Sequence, residues 1–193
     1  QNDDDYAFLL SASIINILYK VIFTESKYGK KDKQKASFRF DNYQAQKINE
    51  RVAMLAGEKL GLKVIQVFDK YLVNILEELN NDLWSSIWQP AIEDHEQNKH
   101  RNDAENILIQ AYRDALDGYI SVHPVAASEY VKEMLMSKYQ AIQRLAIHEI
   151  CRNYDLFTDS IDQLLNNKYL DSNYQHEIWH LFKKNYPNFS SSQ

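Results

Sequence analysis

DAENILIQAYRDALDGYISVHP, residues 103–124, is the stretch that decides the fold. Ile107, Leu108, Ala111, Tyr112, Ala115, Leu116, Tyr119 and Ile120 recur three and four positions apart, the spacing that gathers side chains on one face of an α-helix. Asp103 is a residue type that caps a helix start by accepting a backbone N–H. His123-Pro124 ends the segment, because the residue before a proline is pushed out of helical geometry.

The same spacing continues upstream. Ile48, Val52, Leu55, Ala56 and Leu60 predict a helix over residues 43–61. Val64, Ile65, Phe68, Tyr71, Leu72, Ile75 and Leu76 predict another over 62–79, with Gly57 and Gly61 as the break or kink between them. Asn80-Asn81-Asp82 reads as a stop, followed by a short aromatic helix carrying Leu83, Trp84, Ile87 and Trp88 until Pro90. Residues 93–103, EDHEQNKHRND, are wholly polar and read as an internal linker, a candidate division within a single domain of 1–193. Downstream, four shorter helices are expected at 126–136, 139–153, 156–166 and 172–185, with a polar, frayed tail over 187–193.

The N-terminal region needs a separate argument. Residues 6–23, YAFLLSASIINILYKVIF, are nearly membrane-like, but Ser11, Ser13, Asn16 and Lys20 interrupt a run already shorter than the roughly 20 apolar residues of a span. The stretch therefore predicts a deeply buried core helix over about 4–26, led by Asp3, Asp4 and Asp5 at its positive end. Residues 27–46 turn lysine-rich and read as a long loop.

Composition agrees with helices throughout. The 193 residues are 45% hydrophobic, too apolar for disorder, and hold only 4 Gly and 3 Pro, too few for a turn-rich β fold. The expected fold is all-α, an irregular helical-repeat (HEAT-like) array or bundle of about eight to nine helices. A single cysteine, Cys151, excludes an intramolecular disulfide framework and fits a reducing, cytoplasmic setting; within helical sequence it reads as a buried, inert thiol. The formal net charge of −5 argues against a surface devoted to nucleic acid. The chain starts Gln1-Asn2 without a methionine and reads as an excerpt of a longer or processed protein.

Three clusters could carry chemistry. His176-Glu177-Ile178-Trp179-His180 matches HExxH, in which two imidazoles one helical turn apart hold zinc and the glutamate activates its water. No His, Asp or Glu follows His180 to supply a third ligand. Ile178, Leu181 and Phe182 demand burial and turn the histidines outward, beside Lys183 and Lys184. Glu177 then falls at the edge of the buried face, where a structural hydrogen bond or ion pair suits it better than base catalysis. The motif is therefore expected to bind no catalytic zinc; a zinc hydrolase using His176, Glu177 and His180 is the alternative. The second cluster, Glu93, Asp94, His95, Glu96 and His100, mixes metal-binding types but reads as a solvated loop without rigid support. The third is a basic and aromatic loop with Lys30, Lys31, Lys33, Lys35, Phe38, Arg39, Phe40 and Tyr43, suited in principle to phosphates and bases. Phosphate-cradling glycine loops are missing from the sequence, and no cofactor is expected.

An internal echo adds to the array reading. Ile147-His148-Glu149-Ile150 recurs as Gln175-His176-Glu177-Ile178, a helix-pair length further on, which places the two His-Glu pairs at matching points of successive units.

Residues 88–98, WQPAIEDHEQN, with Leu108, Arg113-Asp114, the run 143–148 (QRLAIH), Leu156-Phe157, and His176-Glu177-Ile178-Trp179 with Leu181, resemble the helical regions that follow the nucleotide-binding or sirtuin-like domain of large bacterial proteins. Several of those are NTPases of signal transduction or anti-phage defence. The resemblance implies a non-catalytic scaffold or sensor module whose enzymatic domain lies elsewhere in the parent chain. Its partners would be other domains of that chain or another protein, with nucleic acid as a further candidate and no membrane. Trp84, Trp88, Trp179 and Arg144 are the candidate exposed anchors, joined by the basic residues of the loop.

Overall fold

The computed structural model describes residues 3–25, 34–79, 90–98, 103–170 and 173–190. Among them are eight α-helices and one two-stranded sheet: α1 (Asp3–Leu18), β1 (Val21–Glu25), β2 (Gln34–Phe38), α2 (Asn42–Leu60), α3 (Leu62–Glu78), α4 (Ala104–Val122), α5 (Pro124–Leu135), α6 (Gln140–Arg152), α7 (Ile161–Leu164) and α8 (Gln175–Asn185). The all-α expectation holds: this is a helical bundle of about eight helices with a small hairpin at its edge.

α4 lies at the centre, packed against α2, α3, α5 and α6. Its cap is the expected one, with Asp103 accepting from the Asn106 N–H at 2.9 Å, and Pro124 opens α5 directly after His123. Fourteen of its nineteen residues are buried, and all eight apolar positions quoted from the sequence are among them.

The crossing of α2 and α4 is unusually close, and glycine permits it. A Cβ at Gly57 would stand 1.9 Å from the Ala115 carbonyl oxygen, and one at Gly118 would stand 2.1 Å from that of Met54. Gly57 therefore serves the crossing and is no break, contrary to its expected role. The break falls at Gly61, whose φ of 55° ends α2 and starts α3.

The N-terminal expectation fails in two respects. α1 stops at Leu18, and residues 21–25 pair antiparallel with 34–38 in the register Val21↔Phe38 and Phe23↔Ala36. Val21 and Phe23 pack against the core with buried Ala36 and Phe38, while Ile22, Thr24 and Lys35 face out. This is the period-two pattern of a half-covered hairpin. In addition, α1 is not deeply buried. Ile15 and Tyr19 are buried, but Leu10, Ile14 and Ile17 are 62%, 47% and 50% exposed. The helix rests on α2 and α3 by one edge and leaves the other apolar edge uncovered. No helix among the described residues is long and apolar enough to cross a membrane.

At the other end, where one helix is expected over 156–166, two short 3-10 turns at Tyr154–Leu156 and Thr158–Ser160 lead into the four-residue α7. The tail is partly docked: Phe189 stacks on Tyr154 at 5.9 Å and touches Phe182. The echoed motifs lie on α6 and α8, which pack together, and both bury their glutamate and the isoleucine after it.

Candidate functional site

Residues 90–98, which take in the first six residues of the expected 93–103 linker, are fixed to the bundle. Ile92 is 1% exposed and anchors it in the core. Arg113 on α4, itself buried, donates from Nη1 to the Ile92 carbonyl at 2.9 Å. Arg144 on α6 donates from Nη2 to the Pro90 carbonyl at 2.9 Å. Asn98 turns back to the Ala91 carbonyl at 2.7 Å. Two guanidiniums and an amide thus satisfy backbone carbonyls that a buried loop would otherwise leave unpaired.

Arg144 was expected as an exposed anchor and is instead 5% exposed. Its guanidinium meets Glu177 as a fork, Nε to Oε2 at 3.0 Å and Nη2 to Oε1 at 2.6 Å. Glu177 is 2% exposed, so both of its oxygens are committed inside the protein. This matches the structural hydrogen bond or ion pair expected for Glu177, and it commits to Arg144 the glutamate that the hydrolase alternative would use as base. α8 is oriented by it: Ile178 and Leu181 are buried beside Glu177, while His176 and His180 face out, with side chains 42% and 39% exposed.

The two histidines do not stand alone. Glu93, held by the pinned segment, places Oε1 2.6 Å from His176 Nε2 and 3.2 Å from His180 Nε2. The three residues each offer one ligand atom, all within 4.8 Å of one another. The two imidazole rings meet edge to face with centroids 4.7 Å apart. Burial pushes the Glu93 carboxyl up, but the hydrogen bond with His176, a backbone N–H hydrogen bond and the charge of both histidines together outweigh that and hold it at about 2. The same hydrogen bond raises His176.

Sequence spacing sought a third ligand after His180; the fold supplies one from 83 residues before His176. Glu93 was singled out in the sequence, but in a different cluster, and nothing local links the two. The rest of that cluster goes elsewhere. Asp94 pairs with Arg113 at 2.9 Å, and His95 and Glu96 line a groove of about 700 Å³ together with Glu50 and Asp114. His100 lies outside the described residues. Lys183 and Lys184, expected beside the histidines, have other partners: Lys183 sits 4.6 Å above the Trp179 ring, and Lys184 reaches the Arg152 carbonyl at 3.4 Å.

Of the other expected anchors, Trp179 is exposed, at 54%. Lys35 and Arg39 are exposed at and just beyond β2, Phe38 is buried, and Lys30, Lys31, Lys33, Trp84 and Trp88 lie outside the described residues. Cys151 is buried, and burial raises its thiol, as expected of an inert residue.

Behind this site α6 carries the first His-Glu pair of the internal echo. His148 Nε2 is buried without a hydrogen-bond partner among the described residues, and burial followed by the charges of Arg113 and Arg152 lowers the imidazole to about 3. Glu149 is completely buried; burial first, then the facing Asp117, push its carboxyl well above the ordinary range.

Comparison with protein families, curated proteins and solved structures found no match to this chain.

Proposed function

We propose that this chain is a non-catalytic α-helical scaffold that recognises a protein partner. The observation behind this reading is the uncovered edge of α1. Leu10, Ile14 and Ile17 follow one another at four and three residues and form a narrow apolar stripe, each about half exposed or more. Large contiguous apolar surface on a folded domain marks an interaction site, and a stripe of this spacing suits a partner helix laid along it. Glu177, bound on both oxygens by Arg144, supports the non-catalytic part. The acidic groove lined by Glu50, Asp94, Glu96 and Asp114 favours protein over nucleic acid on that face.

The test is a photo-crosslinking amino acid placed at position 14 in cells that make the protein natively, with the exposed position 129 on α5 as the control. A discrete protein adduct from position 14, lost when Leu10 and Ile17 are changed to lysine, is the expected result. Crosslinking to RNA or DNA would favour the nucleic-acid reading. Equal labelling from both positions would remove the docking reading.

A further inference from the structure

We propose that Glu93, His176 and His180 bind one divalent transition cation of the zinc class, and that the ion clips the 90–98 segment to α8. The proposal is independent of the docking role of α1.

The donor set selects the ion. Two imidazole nitrogens and one carboxylate oxygen suit zinc and its first-row neighbours; magnesium and calcium take oxygen donors. The spacing is close to what such an ion needs. Around a tetrahedral zinc with bonds of 2.0–2.1 Å, ligand atoms stand about 3.3 Å apart. His180 Nε2 and Glu93 Oε1 are already at 3.2 Å. His176 Nε2 and Glu93 Oε1, at 2.6 Å, need to open by about 0.7 Å. Both histidines project from one helical turn of α8, the i and i+4 arrangement that presents two nitrogens to one point.

Support for the site comes from both sides. The backbone carrying Glu93 is held at Pro90 by Arg144, at Ile92 by Arg113 and at Ala91 by Asn98. The turn carrying the histidines is held by Glu177 on the same Arg144. One guanidinium therefore touches both halves of the site, which lets it form with little reorganisation. Three protein ligands leave one position facing solvent, since all three side chains are partly exposed. The motif's glutamate, Glu177, is buried against Arg144, so the ion acts as a fastener between two segments far apart in sequence.

The experiment is a zinc titration of the chain, freed of chelator and of any histidine tag, followed by calorimetry and thermal unfolding. One zinc per chain is expected, with the melting temperature rising by about 5–10 °C when free zinc reaches a hundred times the dissociation constant. Glu93→Gln and His180→Ala are each expected to weaken zinc at least about tenfold and so to cut that rise to about half or less at the same free zinc. His95→Ala, on the same segment but outside the ligand set, is expected to change neither. Magnesium is expected to give no shift. Circular dichroism verifies that each variant is folded before its titration is read. No stoichiometric zinc in the parent chain, unchanged affinity in Glu93→Gln, or loss of zinc in His95→Ala would each overturn the proposal.

Discussion

Glu177 gives both carboxylate oxygens to Arg144, at 3.0 and 2.6 Å, while its neighbour His176 points the other way and meets Glu93 at 2.6 Å. One residue of helix rotation separates the interior of the protein from its surface. A five-residue pattern that reads as a single catalytic unit is thus divided between a packing role and a surface cluster.

The division has an energetic signature. Removing one member of a buried ion pair leaves the other charge unsolvated, at a typical cost of about 3–5 kcal/mol. Glu177→Ala and Arg144→Ala are both expected to fall in that range in urea unfolding. Arg144→Met with Glu177→Leu is expected to recover much of the loss, because an apolar pair of similar volume has no charge to bury. His176→Ala should cost less than about 1 kcal/mol, as befits a partly exposed pair.

Gly57 and Gly118 are expected to resist the most conservative change. In an ordinary helix, glycine to alanine gains roughly 1 kcal/mol. Here each new methyl would meet a backbone carbonyl oxygen at about 2 Å, so the two helices must move apart. Gly118→Ala is expected to destabilise by about 1–3 kcal/mol or more, the range for overpacking, and a melting curve gives the sign directly.

Adjacent groups on α6 pull stability in opposite directions with pH. His148 has a folded pKa of about 3 against an ordinary 6.5, so the unfolded chain binds the proton more readily. Its contribution is whole above pH 6.5 and is lost as the pH falls from there toward 3. Glu149 is raised above an ordinary 4.5, so its contribution is whole below pH 4.5 and is lost as the pH rises toward the folded value. Glu149→Gln keeps the shape without a charge to bury. It is expected to stabilise the protein at pH 8, with the advantage shrinking toward pH 4.5. A constant difference across that range would show that Glu149 is not held as the neutral acid.

The exposed edge of α1 gives a further contrast. Ile14→Glu is expected to alter stability by no more than about 0.5 kcal/mol, as surface changes do. Tyr19→Ala should cost about 3–5 kcal/mol, because the ring is 2% exposed and packs edge to face on Phe38 and Phe68. A large penalty at Ile14 would mean that the helix is buried after all.

What the sequence showed well was whatever one helical turn determines. The buried face of α4, the Asp103 cap, the Pro124 start of α5 and the outward turn of His176 and His180 follow from spacing and cap chemistry alone. The hairpin was hidden because Ile22, an apolar residue on the outer face, breaks the alternation that Lys35, Ala36, Ser37 and Phe38 do show. α1 was misjudged because hydrophobicity alone does not say what will cover a helix. Gly57 looked like a helix breaker because its partner, the Ala115 carbonyl, lies on another helix. Glu93 was visible as a residue and invisible as a partner, since its place beside His176 depends on Arg113 and Arg144 holding a segment that looks like a linker.

The most direct test of this division of the motif is anomalous diffraction at the zinc edge, from crystals grown with one equivalent of zinc. One peak is expected, within bonding distance of His176 Nε2, His180 Nε2 and a Glu93 oxygen, with Glu177 still paired to Arg144. A peak coordinated without Glu93, or a Glu177 carboxylate swung off Arg144 and onto the metal or its water, would contradict it.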